Sequence, residues 1–266
     1  MMRRLVHWVR IYVAEAWVGY HGRFAITSPF GYFAGKFGFP FFLMLFFIYM
    51  GKWLGQTDPM YIVIGNVLLI PASSGLGGVT LAIGDERQWG TLSYVLGSPA
   101  PRAPIFLGRS LFYILDGFVT SLLGLGIAAA IFGLELGRID FGVLMLCILV
   151  LAATSSGLGF LFGSISLVSR DGWLITTSFM SALFILVGVN FPVATLPNVL
   201  QPIAYGLPLT RGIMAARLAM EGATWSGIGG LIGGEVLVGA IYVVAGYVCF
   251  RLIERRSMSS GMLDAI

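Results

Sequence analysis

Long apolar runs separated by short polar breaks organise this chain. Runs near the roughly 20 residues that carry a helix across a bilayer core fall at roughly 30–51, 60–83, 106–132, 141–168, 172–190 and 226–250. None keeps the two-residue alternation of a barrel strand. The pattern therefore predicts an all-α integral membrane protein with six transmembrane helices. Pro40, inside the first run, is expected to kink or loosen that helix.

Three polar or broken segments stand out between and before the runs. At the N-terminus, Leu5, Trp8, Val9, Tyr12, Val13, Ala16 and Tyr20 make an apolar stripe at helical spacing, interrupted by Arg10, Glu15 and His21. That is not the uninterrupted core of a signal peptide. It predicts an interfacial helix over 1–25. Between spans two and three, residues 84–99 form a charged insert in which Trp89, Leu92, Val95 and Leu96 recur at helical spacing. A turn at a membrane surface needs only a few residues. An insert of about four helical turns is expected to lie flat and dock its apolar face on a partner. The acidic pair Asp85–Glu86 fits an anionic lipid surface poorly, which favours a protein partner. Between spans five and six, residues 190–211 carry Pro192, Pro197, Pro202 and Pro208. So many prolines forbid a continuous spanning helix, yet the residues between them are too apolar for a solvated loop. Such backbone persists at membrane depth where protein buries it or it lines a cavity. Short helical pieces dipping back into the outer leaflet are the expectation, with Arg211 and Arg217 marking the return to the headgroups.

Composition agrees with the pattern. The chain is 58% hydrophobic and only 11% charged, with a mean hydropathy of +0.91, whereas soluble domains carry about a quarter charged residues. No tract reads as a soluble domain, so residues 1–266 are taken as one membrane domain. Cys147 and Cys249 both fall inside apolar runs, which argues against a disulfide framework or a cysteine metal site. The net charge of +4 is not a nucleic-acid signal, because the arginines cluster at span boundaries. With the N-terminus inside, Arg3, Arg4, Arg10, Arg23, Arg87, Arg102, Arg109, Arg170, Arg251, Arg255 and Arg256 are cytoplasmic. Lys52, Arg138, Arg211 and Arg217 then lie outside, which satisfies the positive-inside rule with both termini cytoplasmic.

Small residues recur inside the spans: Ser73–Gly78 in span two, Ser155–Gly159 in span four, and Gly229, Gly230, Gly233 and Gly234 in span six. They permit close helix approach, and the span-six pairs are nominated for a special contact. Catalytic signatures are absent. There is no phosphate-binding loop, no His-Glu-x-x-His and no Gly-x-Ser-x-Gly, and the histidines His7 and His21 sit in the N-terminal segment. No catalytic, cofactor-binding or metal-binding residue is expected on this chain. Lys36, Asp116 and Glu235 are the ionisable residues within spans that invite a function. Lys36 and Asp116 share a depth, which permits a pair, although Lys36 also has the reach to snorkel to the headgroups. Glu235 lies far from both and is either a cavity-facing contact or a hydrogen-bonded packing residue.

Two stretches carry a family resemblance. Glu86-Arg87-Gln88-Trp89-Gly90-Thr91-Leu92 through Pro99 to Arg102 is similar to the E-x-x-x-G-T-L/T…P…R coupling segment of ABC-2 transporter permeases. Phe191-Pro192…Leu196-Pro197 through Leu207-Pro208-Leu209-Thr210 is similar to the outer F-P…L-P…L-P-L-T segment of that family. The resemblance implies a permease of the type V exporter fold in the cell (inner) membrane, paired with a second permease subunit as homodimer or heterodimer. It implies separate cytoplasmic ABC ATPase subunits as partners, with ATP and Mg bound there and none on this chain. Residues 84–99 would be the coupling helix, with Asp85, Glu86, Arg87, Trp89, Thr91, Leu92 and Leu96 meeting the ATPase. It also implies outward movement of a hydrophobic or amphipathic substrate: drug, antibiotic, lipid or lipid-linked glycan. The alternative is an ion- or proton-coupled secondary transporter using Lys36, Asp116 and Glu235. Such a carrier predicts an internal repeat, whereas the insert and the proline-broken segment each occur once.

Overall fold

The computed structural model describes residues 10–21, 28–54, 59–88, 90, 97, 102–133, 139–169 and 172–260, and among these every regular element is helical. Helix α1 covers 10–21. Then follow α2 (Pro29–Leu54), α3 (Pro59–Ala72), a π-helical turn (Ser73–Gly78) and α4 (Val79–Gln88). After the insert come α5 (Arg102–Phe132), α6 (Phe141–Ser166) and α7 (Gly172–Leu186). A 3₁₀ turn (Val193–Thr195), α8 (Leu200–Gly206), α9 (Thr210–Met220) and α10 (Trp225–Ser260) complete the order.

Among the described residues, five stretches are long and apolar enough to cross a membrane: Pro29–Trp53, Met60–Gly84, Gly108–Phe132, Phe141–Ser166 and Trp225–Arg255. The chain is a multi-pass membrane protein. The remaining run, expected over 172–190, is helical only from Gly172 to Leu186. Its 15 residues rise about 22 Å, short of a core of about 30 Å. Gly188 ends it with φ 78°, a left-handed turn that glycine makes without steric cost. The backbone beyond, at Val187, Val189 and Asn190, is buried in protein.

Helix α6 is the central pillar, packing on α10 most extensively and also on α3, α4, α5 and α9. Asp140 starts it, its carboxylate accepting from the Val143 N–H at 3.2 Å. The long second span crosses beside α6 as α3, the π turn and α4, joined without a gap. Pro71 explains part of the irregularity: it has no N–H to give the Val67 carbonyl, and Ser121 Oγ from α5 donates to that oxygen at 3.4 Å. The π turn then lies directly on the small-residue stretch of α6. Thr80 Oγ1 reaches the Gly159 carbonyl at 3.2 Å, and Ser155 Oγ reaches the Pro71 carbonyl at 3.3 Å. A Cβ at Gly159 would stand 2.9 Å from the Leu76 carbonyl oxygen, so the approach depends on glycine there.

Helix α2 contains Pro40 within its bounds. The close contact between spans four and six is made by Gly239 against Thr154 and by Gly246 against Phe160 and Leu161, whereas Cβ atoms at Gly230 and Gly233 would meet nothing within 4 Å. Within the Gly229–Gly234 repeat, Gly230 and Gly233 are exposed on α10, whereas Gly234 makes a close approach to α9, where a Cβ would stand 2.8 Å from Arg211 Cδ.

Candidate functional site

Three clusters of polar side chains are built into this apolar scaffold. The first lies where the predicted docking insert leaves the bundle. Helix α4 runs to Gln88, so the backbone of Asp85, Glu86 and Arg87 prolongs the second span instead of opening a separate helix. Gly90, with φ 68°, follows the helix end. Gly97 is helical and exposed. Trp89, Thr91, Leu92 and Leu96 lie outside the described residues, as do the side chains of Asp85, Glu86 and Arg87. Beside this exit Arg109 ties three helices together. It donates from Nε to Glu15 of α1 at 3.1 Å and from Nη1 to the Ala82 carbonyl of α4 at 2.9 Å. The Tyr20 and Phe112 rings meet edge to face at 5.8 Å. Helix α1 is thus fastened to α4 and α5, while Trp17 and Val13 remain exposed.

The second cluster joins α2 to α5. Lys36 Nζ donates to one oxygen of Asp116, and the Tyr32 hydroxyl donates to the other. Lys36 also contacts the Tyr32 oxygen at 3.2 Å. Tyr32 and Lys36 stand one turn apart on α2, the i, i+4 spacing that places both on one face. The pair is nearly sealed from its surroundings, with side-chain exposures of 12% and 9%. A buried carboxylate costs several kcal/mol unless opposed and hydrogen-bonded; here it is both.

The third cluster holds the proline-broken segment. Pro192 opens the 3₁₀ turn, its carbonyl accepting from the Thr195 N–H at 3.0 Å. The Pro197 carbonyl receives the Leu200 N–H at 2.8 Å at the start of α8. Pro202 occupies the first turn of α8, where no helical N–H is lost. Pro208 precedes Leu209, whose φ of 87° is the single left-handed non-glycine value among the described residues. A leucine so placed costs about 1–2 kcal/mol, and the surroundings hold it there. Glu235 of α10, fully buried, accepts from Leu209 N at 2.5 Å, Gly212 N at 3.0 Å and Thr154 Oγ1 at 2.9 Å. Its carboxylate therefore sits at the N-terminus of α9, where free N–H groups and the helix dipole favour negative charge. Of the two roles open to Glu235 in the sequence, the geometry is that of the hydrogen-bonded packing residue.

Arg217 departs from expectation. It does not reach for headgroups but is 9% exposed. Its guanidinium lies 3.2 Å from the centroid of the Tyr61 ring and donates to the carbonyls of Gly188 at 3.0 Å and Val189 at 2.7 Å. The carbonyls freed by the early end of α7 supply the reason for turning inward. Arg211 donates to the Tyr205 carbonyl at 2.5 Å.

The structure thus brings Lys36 and Asp116 together and keeps Glu235 apart from both. Sequence reasoning missed Tyr32, Thr154, Arg109 with Glu15, and the left-handed Leu209. Of these, only Tyr32 was signalled, by its spacing from Lys36. No group of three or more His, Cys, Asp or Glu side chains that would hold a metal ion occurs among the described residues.

Residues 55–248 match the family model described as ABC-2 family transporter protein. That range takes in the polar insert, Asp116, the proline-broken segment and Glu235. No curated protein matches the chain.

Proposed function

Because the chain belongs to the ABC-2 family of transporter proteins, we propose that it is the transmembrane permease subunit of an exporter driven by a separate cytoplasmic ABC ATPase. The observation that carries this reading is the family match over 55–248, which spans both unusual segments in one stretch. In the proposal the ATPase binds ATP and Mg, and residues 84–99 of this chain dock on it through the apolar side of the insert. Asp85, Glu86 and Arg87 meet the rim of the docking groove, and Trp89, Thr91, Leu92 and Leu96 fill it. A second permease subunit, identical or related, completes the transport path. The chain resides in the inner membrane with both termini in the cytoplasm.

The continuity of α4 into the insert supports a mechanical role. A displacement of the insert is carried along α4 to the π turn and to α6, without a loop in between to absorb it. Helix α6 contacts α10 and α9, and Glu235 ties α10 to the start of α9. Closure of two ATPase subunits would push the two inserts together and open the path at the far side. A hydrophobic or amphipathic molecule would then leave outward. Short connections at that side offer no dock for a substrate-delivering protein, which favours export. The intramembrane charges support this reading over an ion-coupled carrier, since Lys36 is opposed by Asp116 and Glu235 is engaged by three donors.

The test is gentle-detergent purification of the full chain from its native host beside a Glu86→Arg variant. The reading expects an ATP-hydrolysing subunit to accompany the wild-type chain and to be lost from, or uncoupled in, the variant. A correctly inserted wild-type chain that purifies without an ATPase overturns it.

A further inference from the structure

One face of α3 holds the chain where α7 stops. Tyr61 and Gly65 stand one turn apart on that face, and Asn66 adjoins them. The Tyr61 hydroxyl donates to the Gly188 carbonyl at 3.2 Å, and Asn66 Nδ2 donates to Asn190 Oδ1 at 3.0 Å. Between these two ties Gly65 leaves the helix backbone bare. A Cβ there would collide with the Val189 carbonyl and stand 2.5 Å from Arg217 Nη2. Residues 188–190 therefore lie directly against the backbone of α3.

The sequence explains why these carbonyls need donors from elsewhere. In a continued α7 the Gly188 carbonyl would pair with the N–H of residue 192, and Pro192 has none. An unpaired carbonyl at membrane depth is costly, because no bulk water reaches it. Arg217 meets the need from α9. Its Nη2 donates to the Gly188 carbonyl at 3.0 Å and to the Val189 carbonyl at 2.7 Å, while the guanidinium carbon lies 3.2 Å from the centroid of the Tyr61 ring. A planar guanidinium can serve two carbonyls and a ring face together, whereas an ammonium is a single point of charge. One buried side chain thus joins α3, the end of α7 and α9.

We infer that Arg217, with Tyr61 as its platform, is the positioning residue that makes α3 and the proline-broken segment move as one body. The inference rests on the transport reading, in which the insert drives the second span through α4 and α3. Helix α7 packs on α6, α4, α8 and the π turn, and α9 packs chiefly on α6 and α10. A displacement of α3 would slide past both if nothing fastened it to them. The Arg217 joint carries that displacement to the two ends of the proline-broken segment. Residues 188–190, where the segment begins, are held on α3 directly, and α9, where it ends, is held through the guanidinium. The stretch between carries Val199 and Ile203, both exposed, and follows its ends.

The test uses the full chain with its co-purified ATPase in lipid nanodiscs, carrying Cys147→Ala, Cys249→Ala and Ile203→Cys. It reads the rate at which a water-soluble maleimide modifies position 203, with and without ATP and Mg. The inference expects ATP to change the rate in this parent chain. Arg217→Lys should shrink that change at least fivefold while ATP hydrolysis stays within twofold of the parent. Tyr61→Leu, which removes the ring and the hydroxyl without adding charge, should do the same, and it carries the test if Arg217→Lys does not insert. Tyr32→Phe removes a hydroxyl from the Asp116 cluster and should leave the response intact, which separates loss of the joint from general loosening. A response that survives in either inserted variant, that falls together with ATP hydrolysis, or that falls equally in Tyr32→Phe overturns the inference and leaves the transport reading standing. A parent chain that hydrolyses ATP with no change at position 203 overturns the transport reading, and the joint falls with it.

Discussion

Two of the acids held inside this protein, Asp116 and Glu235, are held in opposite ways. Asp116 is balanced by a full opposing charge from Lys36, with the Tyr32 hydroxyl as a second donor. Glu235 is held by two backbone N–H groups and one hydroxyl, so its charge is met by oriented dipoles at the start of α9. The first arrangement clamps a peripheral helix, α2, to the bundle. The second fixes a strained corner at Leu209, where the proline-broken segment turns into α9. The difference teaches what each acid is for: an ion pair needs only its partner, whereas a helix-capping carboxylate needs a particular backbone conformation and enforces it.

Substitution separates the two modes. The largest effect is expected from Asp116→Ala, which strands Lys36 in the interior and should cost about 3–5 kcal/mol of stability, read as loss of thermal stability in detergent. Lys36→Met combined with Asp116→Leu should recover most of that loss, because the uncompensated charge is gone. A double variant no more stable than Asp116→Ala would contradict the ion-pair account. Glu235→Ala comes next, at about 2–3 kcal/mol, since two buried backbone N–H groups lose their acceptor, while Thr154 keeps the Leu151 carbonyl and Arg211 keeps the Tyr205 carbonyl. Glu235→Gln should be milder, because its amide oxygen still accepts from two of the three. If Gln and Ala were equally damaging, the negative charge at the helix N-terminus would matter more than the hydrogen bonds. The smallest effects belong to Tyr32→Phe and Thr154→Val, each removing one donor from a carboxylate that retains others. About 1 kcal/mol apiece is expected, and thermal unfolding of matched samples measures both.

The spans were legible because their signal is composition summed over about 20 residues. Five of the six apolar runs meet the length criterion in the structure. The run over 172–190 is helical only from Gly172 to Leu186, because the chain turns at the left-handed Gly188 and Val187 to Asn190 are buried in protein. Hydropathy reports burial and is blind to whether lipid or protein does the burying. The same limit explains Arg217, assigned to the membrane surface by its charge but seated against Tyr61 and two carbonyls far away in sequence. Matched depth put Lys36 beside Asp116 as one of two options, and the structure joins them. The partners of Glu235 were out of reach, because two of the three are backbone groups that any residue type supplies. Among the small-residue stretches, Ser73–Gly78 and Ser155–Gly159 do face each other. Which side of α10 its glycines occupy depended on helix rotation, which a repeat of small residues does not specify.

The most direct test of the transport account is a reporter on the segment farthest from the insert. Val199, 78% exposed beside α8, would be replaced by cysteine in a chain with Cys147→Ala and Cys249→Ala, and labelled with an environment-sensitive fluorophore. The account predicts a fluorescence change on adding ATP and Mg to the complex containing the ATPase, and none when Glu86→Arg is introduced. A response to a proton gradient in the absence of any ATPase, with no response to ATP in its presence, would contradict it.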